Sequence, residues 1–422
     1  MLSRIASILT ILRVTKYSAV LYSSSLWILW IFYLLNRKPN AQSKILFVAP
    51  DSYNITGSLG DVAMLISGID TVKNQSPDSL ITIIGSANEK ILLPSLQEIQ
   101  AIDAFSSWKS SIKFHATVIN AKALYIVGAD VLDGFYNPRA VLRLLAYANH
   151  ASRCGVPVSI LGFSFNKSPN PAVALALSAL RHDIKIFVRD AHSLLRFEQA
   201  TQRKAKLVAD LAFLLRPTSP GDEIINWIDE QKEKDCFVVG LNINFHAFKK
   251  YKEKQTDHAF VKNLLAILPN TLKNKPVSYV LIPHDFKSTS GDVTLLKLLA
   301  ELYPSSMNSK VKIYMSNNPK EIKGLMASLD FVFTGRMHLA IAALGMGTPV
   351  LCVDYQDKFT GLLDHFRLST DDFLLTAEQC MSPMLGVKLD AIANNQSNIQ
   401  EKIKLALGNV TNLSSQNFAS RG

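Results

Sequence analysis

The sequence predicts an α/β protein of two domains, each a parallel sheet covered by helices. Three observations carry this. Short apolar runs alternate with amphipathic or Ala/Leu-rich stretches through most of the chain. The alternation breaks at Arg216-Pro217-Thr218-Ser219-Pro220-Gly221 and then resumes. A chain of 422 residues with 48% hydrophobic and 19% charged content can bury more than one core.

Taken in order, Tyr17 to Leu35 (YSAVLYSSSLWILWIFYLL) carries no charge and spans about 28 Å as a helix, close to the hydrocarbon thickness of a bilayer. Arg4, Arg13 and Lys16 precede it and Arg37, Lys38 and Lys44 follow, so the excess of positive charge leaves its orientation open. Trp27, Trp30 and Tyr33, with Ser23 to Ser25 at the centre, equally suit a helix lying in the interface. No small-x-small cleavage site follows, so residues 1–43 are expected to be a retained membrane anchor and linker.

The first domain is expected over 44–216. Strands are predicted at Lys44 to Pro50, Leu80 to Ile84, Ala123 to Val127, Val156 to Gly162, Ile184 to Val188 and Lys206 to Val208, and helices at Leu59 to Val72, Arg139 to Arg153, Ala172 to Arg181 and Ala191 to Ala200. The second is expected over 217–393. Its strands are Cys236 to Asn242, Ser278 to Pro283, Val311 to Tyr314, Phe331 to Phe333 and Val350 to Val353; its helices are His258 to Leu272, Val293 to Leu302, Pro319 to Met326, Leu339 to Met346 and Lys358 to Phe366. Residues 394–422 are rich in Asn and Ser and read as a polar tail that frays.

A net charge of +11 suits an anionic membrane surface or anionic substrates. The Lys and Arg residues are dispersed and no zinc-finger, RNA-recognition or basic-zipper pattern occurs, so no nucleic-acid partner is expected. Cys154, Cys236, Cys352 and Cys380 lie far apart without C-x-x-C spacing, which suggests neither a zinc site nor a disulfide framework. Cys352 reads as a small buried hydrophobe. Among phosphate, nucleotide and metal signatures, H-E-x-x-H, G-x-G-x-x-G and G-x-x-x-x-G-K-[ST] are all missing from the sequence.

The most informative run is Gly335-Arg336-Met337-His338, set between the strand DFVFT (Asp330 to Thr334) and a small-residue helix stopped by Gly347 and Pro349. Strand-to-helix junctions are where open α/β sheets bind ligands, and a helix N-terminus welcomes an anion. Arg336 and His338 are thus candidates for a site. The alternative is an arginine serving its own helix beside a packed histidine.

Thr334 to Pro349, followed by Val353-Asp354-Tyr355-Gln356-Asp357-Lys358-Phe359-Thr360-Gly361, resembles the C-terminal signature of the polysaccharide pyruvyl transferase family: R-x-H, small-residue helix, G-x-P, then Y-x-x-K-x-x-G. Gly57-Ser58-Leu59-Gly60-Asp61 is similar to that family's N-terminal G-D element, Val188 to Ser193 to its V-R-D-x-x-S, and Val208 to Phe213 to the segment that closes its first half. The resemblance runs from about Lys44 to about Asp364. Where many relatives carry a glycine triplet this chain has Gly128-Ala129-Asp130, a departure that bears on the acceptor more than on the reaction.

The resemblance implies two Rossmann-like domains facing across a cleft, as in GT-B enzymes, and transfer of a pyruvyl unit from phosphoenolpyruvate to two hydroxyls of a sugar, forming a carboxyethylidene ketal. Phosphoenolpyruvate is then a co-substrate, no cofactor or metal is called for, and the acceptor is a saccharide or lipid-linked glycan belonging to a cell-surface polysaccharide or its precursor. The acceptor side falls to the first domain and the donor side to the second. A trianionic donor needs cations, and guanidinium planes match carboxylate and phosphate, so Arg189 and Arg336 are the donor-binding candidates. Protonation of the donor's C3 needs a group that titrates near neutrality, which selects His338 as the catalytic acid. His284 and Asp285, after the strand YVLIP, either bind substrate or cap the next helix. Asp61 either takes an acceptor hydroxyl or complements a helix dipole. Lys358 either contacts phosphate or acceptor, or is a solvated helix-start lysine. Asp190 orients Arg189 or caps the next helix, and Asp130 and Asp133 are sugar ligands or loop aspartates.

Two other readings stand beside this. One is a GT-B glycosyltransferase using a sugar nucleotide, although Tyr314 to Pro319 offers no carboxylate for a ribose. The other is a non-catalytic glycan-binding relative, against which Arg189, Arg336 and His338 are all retained. Because phosphoenolpyruvate is cytosolic, an inner-membrane location with a cytoplasmic catalytic domain is expected; the sequons at Asn54, Asn74, Asn409 and Asn412 leave a Golgi type II protein as the alternative.

Overall fold

Seven strands, Lys44–Val48 (β1), Leu80–Gly85 (β2), Gln100–Asp103 (β3), Ala121–Ala129 (β4), Val158–Phe163 (β5), Lys185–Val188 (β6) and Lys206–Leu207 (β7), form a parallel sheet in the order β3-β2-β1-β4-β5-β6-β7. The helices Leu59–Gln75 (α1), Ser110–Val118 (α2), Pro138–Arg153 (α3), Pro171–Ser178 (α4) and Ala191–Thr201 (α5) are interleaved with them. The central strands are buried on both faces, as continuous apolar runs such as LITIIG and VSILGF require. Helix starts are written locally. Asn137 and Asn170, each just ahead of a proline, accept from the N–H groups of Ala140 and Ala172, and Asp190 caps α5 through the Ser193 N–H at 2.7 Å.

The structure is a computed structural model that describes residues 44–419 apart from positions 56, 87–95, 97, 98, 108, 245, 287–291 and 305–309. Tyr17 to Leu35 lies outside the described residues. No helix among the described residues is long and apolar enough to cross a membrane.

A second sheet takes the order β11-β10-β8-β12-β13-β14 from Phe237–Asn242 (β8), Thr271–Leu272 (β9), Lys275–Leu281 (β10), Val311–Ile313 (β11), Phe331–Thr334 (β12), Val350–Val353 (β13) and Leu374–Leu375 (β14), with β9 antiparallel to β10. Around it run Asp222–Glu233 (α6), Asp257–Ile267 (α7), Val293–Leu302 (α8), Pro319–Met326 (α9), Met337–Leu344 (α10), Thr360–His365 (α11), Met384–Asn394 (α12) and Gln396–Ser415 (α13). Read within each sheet, both orders are the doubly wound 3-2-1-4-5-6. Each therefore has a switch point where the winding reverses, between β1 and β4 and between β8 and β12.

Two compact units result. One takes the described residues up to 55, 64–211 and 413–419; the other takes 57–63 and 212–412. The break expected at 216 falls at 211, and the segment 57–63 belongs with the second sheet. Several local expectations differ from the structure. The helix expected to reach Leu272 ends at Ile267, because Pro269 follows and Lys273 and Asn274, both at positive φ, turn the chain into the β9–β10 hairpin. The supposed polar tail is the 20-residue α13. Ile399, Ile403, Val410 and Ser414 lie buried along it at helical spacing, a stripe that its Asn and Ser content obscures. All four cysteines are free thiols, and Cys352 is fully buried in β13.

Candidate functional site

The carboxyl ends of β8 and β12 are neighbours at the second switch point, and side chains tie them together. Asn242 accepts from the Thr334 hydroxyl at 3.3 Å, and Asn244 donates to the Gly335 carbonyl at 2.8 Å. Gly335 is needed there, since a Cβ would sit 2.7 Å from that of Asn244. Arg336 then occupies the N-cap position of α10 in an extended conformation, with its N–H donated to Thr334 Oγ1 at 2.8 Å.

From that position the guanidinium meets two carboxylates. Nη2 lies 2.6 Å from Asp292 Oδ1, Nε lies 3.1 Å from the same atom, and Nη1 lies 3.1 Å from Asp285 Oδ2. Asp292 is 0% exposed and the Arg336 side chain 12%. Asp292 also accepts from Asn242 Nδ2 at 2.7 Å and from the His284 N–H at 3.0 Å. Burial pushes the Asp292 carboxyl up from its ordinary range, more than Arg336 and the hydrogen bonds pull it down. Burial works against the Arg336 charge too, but Asp292, Tyr355 and Asp285 together raise the guanidinium above its ordinary value. Asp292 is the residue that sequence reasoning missed. It sits just before α8 as a capping aspartate would, yet makes no side-chain cap there, because its carboxylate turns to Arg336.

His284 and His338 join the same cluster. His284 is buried, and burial, then His338 and Arg336, push its ring well below the usual histidine range. In the unfolded chain that ring protonates below about pH 6.5, so the unfolded state there binds more protons than the folded one. The stability it contributes is full above that pH and is lost as pH falls. A His284→Gln variant should lose stability less steeply between pH 6.5 and 5, by up to about 1.4 kcal/mol per pH unit; denaturant titrations giving equal slopes in both proteins would refute this.

The segment 57–63 is strapped onto these residues. Leu59 donates its N–H to the His284 carbonyl at 3.2 Å, Phe286 donates to the Gly57 carbonyl at 3.4 Å, and Ser58 bridges to Asp285. Gly60 lies on the His338 ring so closely that a Cβ would stand 2.2 Å from Nδ1. Gly60→Ala is therefore expected to cost about 1–3 kcal/mol and to shift the His338 imidazole resonances in an NMR spectrum. Unchanged resonances with a loss under about 0.5 kcal/mol would show that the contact gives way freely. Asp61, in the first turn of α1, is partly exposed and shares this segment.

Lys358 is buried rather than solvated, with Nζ 4.7 Å from the centre of the Tyr355 ring. Gln356 and Asp357 between them are both at positive φ, which turns the chain back so that lysine and ring meet. His246 reports the same neighbourhood. Burial lowers its basicity first, then Arg336 and Lys358 lower it further, while Asp285 and Asp292 oppose them. The fold thus gathers His338, Arg336, His284, Asp285 and the Gly60-Asp61 segment, with Lys358 close enough to act on His246.

Arg189 belongs to the first unit. There its Nη1 pairs with Asp210 Oδ2 at 3.0 Å, and both side chains are 3% exposed, so its charge is engaged within that unit's core. Asp190 caps α5, and Asp133, fully buried, accepts from Asn166 Nδ2 at 2.6 Å; both serve local structure. Ala129 holds a φ of 48° at the end of β4, a conformation that glycine adopts at less cost.

The model of the family described as polysaccharide pyruvyl transferase matches residues 59–357. The amylovoran biosynthesis protein AmsJ of Erwinia amylovora is 21% identical over 231 residues, 53% of this chain and 54% of that protein, so the chain spans about half the length of this curated relative. Among solved structures, Anabaena HepE in complex with UDP-glucose superposes with a TM-score of 0.52 at 17% identity, covering 89% of this chain and 95% of that one. A glycosyltransferase from Rickettsia africae gives 0.53 at 12% identity, covering 89% and 96%. A putative UDP-N-acetylglucosamine 2-epimerase from Listeria monocytogenes gives 0.55 at 9%, covering 89% and 94%. At these identities the likeness is one of fold.

Proposed function

Because the chain belongs to the polysaccharide pyruvyl transferase family, we propose that it moves a pyruvyl unit from phosphoenolpyruvate to two hydroxyls of a sugar in a cell-surface polysaccharide or its lipid-linked precursor. The observation that carries this reading is the clustering of His338, Arg336 and His284 at the switch point of the second sheet, inside the matched span. In this scheme His338 gives a proton to C3 of the donor while an acceptor hydroxyl adds to C2, and the neutral imidazole then takes up that hydroxyl's proton. Phosphate departs from C2 with the C–O electron pair and accepts the proton of the second hydroxyl as it closes the ketal. Arg336, its plane fixed by Asp285 and Asp292, faces the donor's carboxylate or phosphate, and Lys358 adds a second positive charge. Asp61 takes an acceptor hydroxyl. Arg189, held by Asp210 in the first unit, is the other donor-binding guanidinium of the scheme. No cofactor enters the scheme.

The residues 17–35 would hold the enzyme at a membrane, with catalysis on the cytoplasmic side where phosphoenolpyruvate is made; a Golgi type II arrangement is the alternative. A sugar-nucleotide glycosyltransferase is the second reading, favoured by the UDP-glucose complex of HepE. Against it, the first carboxylate after β11 along the chain, Glu321, is already engaged by Ser316 Oγ at 2.7 Å and Asn318 Nδ2 at 3.0 Å.

The test is phosphate release from phosphoenolpyruvate by the detergent-solubilised full chain, with galactose-, mannose- and N-acetylmannosamine-containing acceptors. Acceptor-dependent release, with a carboxyethylidene unit gained by the sugar in mass spectra, is the expected result. No release with any acceptor, together with calorimetric binding of a UDP-sugar, would replace this reading with the glycosyltransferase.

A further inference from the structure

We propose that His115, His150 and Cys154, in the first unit, form a binding site for a single transition-metal ion of the zinc class. His115 lies on α2, His150 lies in the last turn of α3, and Cys154 is the C-cap of that helix. Their ligand atoms all fall within 4.8 Å of one another. Each residue type is a preferred ligand of zinc, and two imidazoles with one thiolate make a recurrent three-ligand set that leaves a fourth position to water or another small group.

One distance matches such an ion and one falls short of it. A tetrahedral centre with Zn–N of about 2.05 Å and Zn–S of about 2.3 Å sets nitrogen and sulfur about 3.5 Å apart and two nitrogens about 3.3 Å apart. Cys154 Sγ stands 3.6 Å from His150 Nε2. His115 Nδ1 stands 2.8 Å from the same Nε2, so a small rotation of one ring opens the space. Both contacts converge on His150 Nε2, and the remaining pair, His115 and Cys154, has its ligand atoms within 4.8 Å. Residues 150 and 154 are one helical turn apart and lie on one face.

The surroundings are consistent with a resident ion. Both histidines are buried, and burial lowers both below the usual range, His150 to about 3, which leaves neutral rings of the kind metals take. Arg153 adds a positive charge nearby and burial pushes the Cys154 thiol up to about 11, so an ion would displace the thiol proton on binding. Cys154 is only partly buried, and Gly155 beside it has open space around it, so an ion has a way in. The spacing of the cysteines in the sequence hid this site, because its ligands come from two helices and only one is a cysteine.

The ion would pin α2 to the end of α3. This inference does not depend on the pyruvyl-transfer reading. The test is a titration of the full chain, solubilised in detergent and cleared of metal by a chelator, with cobalt(II) and then zinc(II). One equivalent of cobalt is expected to raise a near-ultraviolet sulfur-to-cobalt charge-transfer band that zinc abolishes. Zinc should also raise the thermal midpoint. In Cys154→Ser, whose partly exposed site tolerates the change, the band should vanish and affinity should fall at least about tenfold. His115→Gln, with folding checked by circular dichroism, should weaken binding likewise. Absence of a thiolate band in the parent protein, or its persistence in Cys154→Ser, would overturn the proposal and leave the pair as a plain histidine hydrogen bond.

Discussion

A His338→Asn variant is expected to lose about 10²–10⁴-fold in acceptor-dependent phosphate release while its unfolding midpoint stays nearly unchanged. The barrier would rise by about 3–5 kcal/mol. Asparagine keeps a polar group in the space that Gly60 leaves for the ring, so packing survives, but it has no proton to give in the accessible range. The proposed role predicts where the deficit falls. If the side chain acts only in the proton transfer, kcat drops and KM barely moves. If instead KM rises with kcat intact, His338 holds substrate and the acid must be sought elsewhere. Turnover within about threefold of the parent would remove His338 from the chemistry altogether.

The largest loss of stability should come from Arg336→Met. Methionine fills much of the space but leaves Asp285 and Asp292 facing each other in a buried setting without a counter-charge. Breaking a buried pair in this way costs about 3–5 kcal/mol. Asp292, already raised by burial, would take up a proton and soften the cost. Adding Asp292→Asn should therefore restore part of the loss, since it removes one of the stranded carboxylates and keeps an acceptor for the His284 N–H and for Asn242. Arg336→Lys should fall between, because an ammonium cannot span both carboxylates at once. Equilibrium denaturation of the single and double variants measures these terms. A loss below about 1 kcal/mol in Arg336→Met would mean that water screens the pair.

The sequence already showed the strand-turn-helix around Arg336, because a buried parallel strand, a glycine and an Ala/Leu helix each leave local signals. It also showed the alternation that builds both sheets. It could not show Asp292. That aspartate lies 44 residues from Arg336 and in front of a helix, where local rules assign it a cap. Its real partner is set by the order of strands in the sheet. Asp210 was hidden in the same way: the motif around Arg189 was legible, but only the fold revealed that Asp210, 21 residues on, pairs with it. The strand β3, four residues long and partly exposed at the sheet edge, has too little apolar content to announce itself. α13 was hidden by composition, since Asn and Ser on its solvent side outnumber the few buried residues that fix it.

The end of that helix and the 3-10 turn that follows it, Gln416–Phe418, affect when the first sheet is completed. Gly162 donates its N–H to Asn417 Oδ1 at 2.7 Å, Asn417 Nδ2 donates to the Ala209 carbonyl at 3.1 Å, and Ser414 donates to the Asp210 carbonyl at 2.7 Å. These partners are separated by 255, 208 and 204 positions. On the ribosome the first sheet would emerge early and wait, with the carbonyls of Ala209 and Asp210 and the Gly162 amide still to be covered, until residues 414–417 had been made. Its final closure is thus a late step of long loop length, slow for the reason that non-local contacts are slow, and during that interval chaperones and proteases have their best access.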